Sequence, residues 1–133
     1  MTAYLALSFN NQVQLKETVS TIKKVLEQKG IGCFVFTDNF SFGPGEEIQM
    51  MQEAMAAIDN CDILVALADY KAIGIGVEAG YARAKNKKVI YIRHADAEHS
   101  TTVAGISHLQ VIYKNMNDLV EQLGSALSSI RFS

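Results

Sequence analysis

Apolar residues in this chain form short continuous runs that alternate with segments of helical periodicity. Such short apolar runs are typical of strands buried on both faces of a parallel sheet. Segments between the runs place apolar residues every three to four positions, most clearly at Val19, Ile22 and Leu26. The predicted strands cover residues 2–8, 33–36, 62–68, 88–93 and 110–113.

The predicted helices follow these strands in alternation. They cover residues 13–29, 46–58, 76–85 and 116–130, with Gly30 ending the first as a left-handed cap. Residues 37–45 are predicted to be a loop, and residues 94–105 a loop with a short helical turn. This alternation predicts one α/β domain over residues 1–133, a Rossmann/flavodoxin-like five-stranded parallel sheet with helices on both faces.

Composition narrows the classes of partner and compartment. Hydrophobic residues make up 49% of the 133 positions, and the net charge of −2 predicts no nucleic-acid or anionic-membrane partner. No apolar run is long enough to span a bilayer, and the N-terminus lacks a signal-peptide pattern. Cys33 and Cys61 lie in or beside apolar runs, so we expect buried free thiols and a cytoplasmic protein. No metal-ligand spacing is present, and no cofactor is expected.

Ligands of such sheets bind beyond the carboxyl ends of the strands, at the point where strand order reverses. Residues 8–10, 37–39, 69–76 and 93–100 are predicted to lie on that edge. The most informative stretch follows the third strand, where Glu78 lies among Gly74, Gly76 and Gly80. Glycine permits close approach of backbone and ligand, although a helix packed tightly on the sheet with a solvated Glu78 would produce the same spacing. The spacing is not a dinucleotide-binding fingerprint.

A carboxylate at this edge has two chemical uses. Glu78 could attack an anomeric carbon to form a glycosyl ester, or act as a base toward water. Either use needs a group that protonates or stabilises the leaving group. Asp38, Asp69, His94 and His99 are candidates, and no spacing distinguishes them from solvated loop residues.

Hydroxyl groups cluster at Ser100, Thr101 and Thr102, directly after His99. At a helix N-terminus they suit a phosphate or carboxylate, although one of them could simply cap the helix. Arg93 could supply charge to the same anion or pair with Glu98. Elsewhere, Tyr4 could be a core residue of the first strand. The methionines of the second long helix could pack in the core or form a subunit interface: Met50, Met51 and Met55.

With these residues identified, the chain resembles the nucleoside 2-deoxyribosyltransferase superfamily, which includes the 2-deoxynucleoside 5-monophosphate N-hydrolases. Segments 4–8, 58–65, 74–82 and 86–90 carry the resemblance, and the segment around Glu78 is its most specific part. The resemblance implies a Rossmann-like sheet and a homo-oligomer with sites near subunit interfaces. It also implies a small-molecule nucleoside or nucleotide substrate whose base–sugar bond is cleaved.

Carried over by position, Glu78 matches the nucleophile and Tyr4 a tyrosine near the sugar and that glutamate. Ser100 matches a serine that binds the 5-phosphate, supplied in some enzymes by a neighbouring subunit. Further substrate contacts are expected from the loops of the ligand edge: Ser8, Asp69, Gly74, Gly76, His99 and Thr101.

The chain departs from the superfamily pattern where an assisting aspartate and a sugar- or phosphate-contacting residue are usual. Ala54 and Ala72 occupy these positions, and Glu53 would point about 100° away around the helix. Asp69 or a histidine could replace the missing acid. Alternatively, the chain is a nucleotide-binding or sensing module without chemistry. A third hypothesis is a domain of the Toll/interleukin-receptor type that cleaves NAD.

Overall fold

All five predicted strands are present in the computed structural model, which describes residues 1–130. All neighbouring strands run parallel, in the order β2-β1-β3-β4-β5, which confirms the predicted fold class. Strand order reverses direction between β1 and β3, because the chain first adds β2 on one side of β1 and then the other strands on the opposite side. The strands are β1 (Thr2–Ala6), β2 (Gly32–Val35), β3 (Ile63–Leu67), β4 (Lys88–His94) and β5 (Leu109–Tyr113).

Helices cover both faces of this sheet and give two core layers. One layer lies under the first and last helices and contains Leu5, Ile22, Val65 and Leu119. The other lies under the remaining long helices and includes Tyr4, the neighbour of Leu5 that points to the opposite face. The helices are α1 (Lys16–Gln28), α2 (Phe36–Asn39), α3 (Glu47–Asp59), α4 (Ile73–Ala84), α5 (Thr101–Gly105) and α6 (Met116–Ser129).

The structure corrects several predicted boundaries. The first helix begins at Lys16 rather than at residue 13, because residues 9–11 form a separate 3-10 turn and Val13 is 85% exposed. Residues 37–45 are not wholly a loop, since α2 extends the chain after β2. Gly30 has a φ of 74°, as expected of a left-handed cap.

The most important correction concerns α4, which begins at Ile73 and not at residue 76. Ala72 is extended and serves as the N-cap, and burial of Ile75 fixes the first turn against the sheet. Glu78 therefore lies inside the helix, one turn beyond Gly74.

Both cysteines are free, as predicted; Cys61 is buried and Cys33 is partly buried, in opposite core layers. Between residues 1 and 130, no helix has the length and apolarity required to cross a bilayer.

Candidate active site

A cavity of about 370 Å³ opens beyond the carboxyl end of β1, beside the point where strand order reverses. This is where ligands bind in open parallel sheets. Five lining residues come from β1 and the turn after it: Tyr4, Leu5, Ala6, Leu7 and Phe9. The others come from the segment after β2, from α3 and from the start of α4: Phe36, Thr37, Phe42, Met50, Met51, Ala54, Ala72, Gly74 and Glu78.

Tyr4 and Glu78 meet inside this cavity. The Tyr4 hydroxyl donates a hydrogen bond to Oε2 of Glu78, joining β1 to α4. Tyr4 is only 1% exposed, so its ring is fixed in the core while its hydroxyl reaches the cavity. The inner face of α4 is buried through Ile75 and Ala79, and Glu78 lies on the flank of that face. The structure thus brings together the two residues predicted to be catalytic.

The cavity alters the acid–base properties of both groups. Desolvation raises the pKa of Glu78 to about 7, and the hydrogen bond from Tyr4 opposes this by favouring the carboxylate. Burial, with the Glu78 carboxylate nearby, raises the pKa of Tyr4. A carboxyl group with a pKa near neutrality, held in a cleft, is typical of catalytic sites.

An aromatic cluster follows β2, and two of its members line the cavity. The Phe36 ring lies 5.1 Å from Phe40 and 6.0 Å from Phe42, measured between ring centroids. Deeper in the molecule, Phe34 stacks on Tyr4 at 5.8 Å. Sequence reasoning missed these phenylalanines as site residues, although their spacing near the carboxyl end of β2 was an available signal. Of these rings, Phe36 and Phe42 line the cavity and make part of its wall aromatic.

The small residues singled out from the sequence divide into two groups. Gly74, Ala54 and Ala72 line the cavity, whereas Gly76 does not. A Cβ built at Gly74 or Gly76 meets no atom within 4 Å, so packing within the chain does not require glycine there. Of these glycines, Gly74 is the one placed to meet a ligand.

Asp69 lies in a different crevice. Its carboxylate accepts hydrogen bonds from the His94 backbone N–H, at 2.8 Å, and from the Tyr113 hydroxyl. These groups border an open cleft of about 720 Å³ between α1 and the start of α6. That cleft is larger, but both Asp69 oxygens are already bonded, and it does not include the Tyr4–Glu78 pair. We therefore identify the smaller cavity as the candidate active site.

Ser8 and the hydroxyl cluster also lie outside the cavity lining. Ser8 is buried and donates to Oδ1 of Asn11 at 2.6 Å, because β1 ends before it and the 3-10 turn follows. The Ser100 N–H donates to the Tyr91 hydroxyl at 2.9 Å, and Nδ1 of His99 lies 3.2 Å from the same oxygen. Thr101 is exposed in the first turn of α5.

The two remaining candidates for charge near the site are also engaged elsewhere. Arg93 does not pair with Glu98; its Nη1 donates to backbone carbonyls of residues 94, 95 and 97. Glu98 instead pairs with Lys71 at 3.0 Å, and Asp38 pairs with Lys23 at 3.0 Å.

The sequence itself identifies the family. The model of the family described as nucleoside 2-deoxyribosyltransferase matches residues 3–125, nearly the whole chain. The chain belongs to the nucleoside 2-deoxyribosyltransferase family. No curated protein matches the sequence significantly.

Solved structures show the same fold as this deoxyribosyltransferase-family chain. A CMP N-glycosidase from Clostridium botulinum has a TM-score of 0.66 at 23% identity, over 92% of this chain and 98% of that one. A 2-deoxyribosyltransferase from Bacillus psychrosaccharolyticus has a TM-score of 0.68 at 23% identity, over 90% of each chain. Megasphaera elsdenii flavodoxin has a TM-score of 0.51 at 9% identity, over 94% of this chain and 99% of that one. The family match supports a function of the nucleoside 2-deoxyribosyltransferase type, and the solved structures show the fold.

Proposed function

We propose that this protein cleaves the base–sugar bond of a deoxynucleoside, nucleoside or 5-monophosphate, with Glu78 as the nucleophile. The observation that carries this proposal is the hydrogen bond from Tyr4 to Glu78 inside a mainly apolar cavity at the reversal of strand order. A carboxylate beside a sugar can attack the anomeric carbon and form a covalent glycosyl ester. Tyr4 holds one oxygen of Glu78, which leaves the other free to attack.

The residues that line the cavity suit the binding of the base in this proposed reaction. Phe36 and Phe42 offer the base a stacking surface, while Met50 and Met51 supply adaptable apolar contacts. Attack by Glu78 on C1′ breaks the bond to the base nitrogen, which keeps the electron pair. Water or a second base then attacks C1′ and releases Glu78, giving hydrolysis or transfer.

The 5-monophosphate part of the proposal depends on the resemblance of Ser100 to a phosphate-binding serine. Ser100 lies outside the cavity lining of its own chain, so this role requires a neighbouring subunit. Ser100→Ala should then weaken turnover of monophosphates more than turnover of nucleosides. Equal losses for both substrates would remove the phosphate role.

The decisive experiment measures free base by chromatography after incubation with deoxynucleosides, their monophosphates and NAD. Glu78→Gln should reduce base release by at least about 10³-fold, because the amide is a poor nucleophile. Glu53→Gln is the matched control, since Glu53 lies on α3 outside the cavity lining and should leave activity unchanged. Unchanged turnover in Glu78→Gln would refute the nucleophile assignment.

One observation favours a second function, ligand binding without turnover. Ala54 and Ala72 place methyl groups on the cavity wall where the resemblance implies an acid and a polar contact. A binding or sensing module would be stabilised by a nucleoside or nucleotide in a thermal melt and would release no base. The same incubation therefore separates the two functions.

A further inference from the structure

A second, smaller space of about 150 Å³ adjoins the cavity beside α2. Five residues line both spaces: Phe9, Phe36, Thr37, Phe42 and Met50. Gln12, Phe40 and Ser41 line the smaller space and not the cavity, and we call this space the outer chamber. Tyr4 and Glu78 line the cavity and not the outer chamber. The shared residues therefore lie between the outer chamber and the proposed nucleophile.

The aromatic wall of the outer chamber follows from the sequence after β2. Phe36 is the first residue of α2 and Phe40 is its C-cap, so the four-residue spacing brings their rings together. The Phe40 N–H donates to the Phe36 carbonyl at 3.0 Å and closes this turn. The Phe42 centroid lies 6.0 Å from each of the other two, with the ring planes inclined by 18° and 22°. All three rings thus lie within aromatic contact distance of one another.

The outer chamber has the size and lining expected of a site for one small apolar ring. A cavity of about 150 Å³ with apolar walls is large enough to bind benzene. Phe9 and Phe40 are 65% and 36% exposed, although both side chains are large and apolar. Apolar side chains grouped at the surface commonly mark a ligand-binding groove. Thr37 and Ser41 add hydroxyl groups that can bond to a nitrogen beside the ring.

We infer that the outer chamber binds an apolar substituent on the base of the substrate. Attack at C1′ requires the anomeric carbon to lie against Glu78. A base that lies along Phe36 and Phe42 then turns its far edge, opposite the C1′–N bond, towards the outer chamber. That edge carries the exocyclic amino group of adenine and of cytosine. This inference rests on the proposed function and names its substrate class, nucleosides whose exocyclic amine carries a group of about phenyl size.

The test compares substrates that differ only at the exocyclic amine. Deoxyadenosine and deoxycytidine are compared with derivatives that carry a benzyl or a 2-aminoethyl group there, each as the nucleoside and as the 5-monophosphate. Both groups alkylate the amine, but only the benzyl group is apolar. Benzyl should raise kcat/KM about 10-fold or more over the parent substrate, because an apolar ring leaves water for the protein. The 2-aminoethyl group should give no such gain, and Glu78→Gln must abolish release in each case.

Filling the outer chamber supplies the complementary measurement. Ser41 is exposed and lines the outer chamber but not the cavity, so Ser41→Leu adds apolar volume where the benzyl group would bind. The ratio of kcat/KM for the benzyl derivative to that for its parent should fall about 10-fold or more. Ser125→Leu is the matched control, because Ser125 is exposed on α6, which covers the other face of the sheet. It should leave that ratio unchanged, and thermal melts establish that both variants are folded.

The outcomes distinguish this inference from the proposed function. Glu78-dependent release that is no faster from the benzyl derivatives than from their parents would overturn the inference and leave the proposed function intact. A neighbouring subunit seated in the outer chamber would produce that same result and would contradict the inference equally. An equal gain from benzyl and 2-aminoethyl, or a folded Ser41→Leu protein with the full benzyl advantage, would also overturn it.

The substrate series uses the unsubstituted protein, so it decides the matter even if Ser41→Leu does not fold. Base release from other deoxynucleosides or their monophosphates, but from neither the adenine nor the cytosine series, would again overturn the inference alone. Base release from no substrate would refute the proposed function and the inference together.

Discussion

Glu78 lies in surroundings that penalise its ionised form, although the proposed chemistry requires that form. Burial among apolar walls raises its pKa from an ordinary 4.5 to about 7, against the favourable hydrogen bond from Tyr4. A nucleophile of higher pKa is intrinsically stronger but is ionised in a smaller fraction of molecules at neutral pH. The environment of this one side chain therefore links activity and stability to pH.

The first prediction concerns the pH dependence of activity. In the unsubstituted protein, kcat/KM should rise with pH through about 7 as Glu78 ionises, and then level off. Tyr4→Phe removes the hydrogen bond that favours the carboxylate, so this rise should move to higher pH and the plateau should fall. A pH–rate series on the substrate that gives most base would measure both changes.

A matched tyrosine controls for general effects of the Tyr4→Phe change. The Tyr81 hydroxyl donates to Asp59, not to Glu78, although Tyr81 lies on the same helix. Tyr81→Phe should leave the pH profile where it is. If Tyr4→Phe also leaves it unmoved, Tyr4 does not position or tune Glu78.

The second prediction concerns stability. The folded pKa of Glu78 lies above its unfolded value, so the folded state binds more protons between about pH 4.5 and 7. The contribution of Glu78 to the free energy of unfolding is therefore present at low pH and is lost as the pH rises through 7. The free energy of unfolding falls over this range by roughly 3 kcal/mol at most. Glu78→Gln removes the titration, so its melting temperature should exceed that of the unsubstituted protein more at pH 8 than at pH 5. An equal difference at both pH values would show that Glu78 is not desolvated in this way.

At the residue scale, the resemblance predicted that Tyr4 lies near Glu78, and the structure shows the hydrogen bond that joins them. The glycines around Glu78 and the position of Tyr4 in an apolar strand were visible, and the resemblance joined them to one function. Their hydrogen bond links residues 74 positions apart, and no local pattern specifies such a contact. The missing acid at Ala54 and the missing ligand contact at Ala72 were visible as departures, and the structure adds that both residues line the cavity.

At the scale of elements, the proposed nucleophile lies in α4, a helix that begins in glycine-rich sequence. Its first turn contains Gly74 and Gly76, which lower helix stability by up to about 1 kcal/mol each relative to alanine. Neither position is crowded within the chain. Only Gly74 borders the cavity, so function offers a reason for glycine there that folding does not.

The third prediction separates these two effects. Gly74→Ala should raise the free energy of unfolding by a few tenths to about 1 kcal/mol, while its methyl group enters the cavity and raises KM. Gly124→Ala is the control, because Gly124 lies in α6 on the other face of the sheet and is equally uncrowded. It should stabilise the protein without changing KM. A Gly74→Ala enzyme with unchanged KM would show that substrate does not approach this turn.

The order of the five strands and four long helices could be predicted because each apolar run or periodic segment is visible locally in the sequence. The start of α4 could not, since packing of Ile75 outweighed the low propensity of the glycines around it. The division of the ligand edge could not be predicted either. Asp69 and Glu78 both follow β3, yet they line different crevices. Which crevice each residue lines depends on the three-dimensional course of the chain.

At the scale of the whole molecule, the parallel sheet brings loops that are distant in sequence to one edge. The two crevices described above lie along that edge. The crevice beside the strand-order reversal contains the Tyr4–Glu78 pair. The other crevice is bordered by Asp69, which accepts hydrogen bonds from His94 and Tyr113. The fold class followed from the alternation of strands and helices. The homo-oligomer implied by the resemblance stays a prediction, and light scattering would confirm it through a mass well above 14.6 kDa.

The contact between β1 and α4 also bears on how the candidate active site is assembled during folding. Its two partners are separated in sequence by α1, β2, α2, α3 and β3. Contacts between residues distant in sequence bear the largest entropic cost of loop closure and are slow to form. A nascent chain that ends before Glu78 lacks the proposed nucleophile. If the protein releases base as proposed, recovery of that activity after dilution from denaturant should follow formation of this long-range contact.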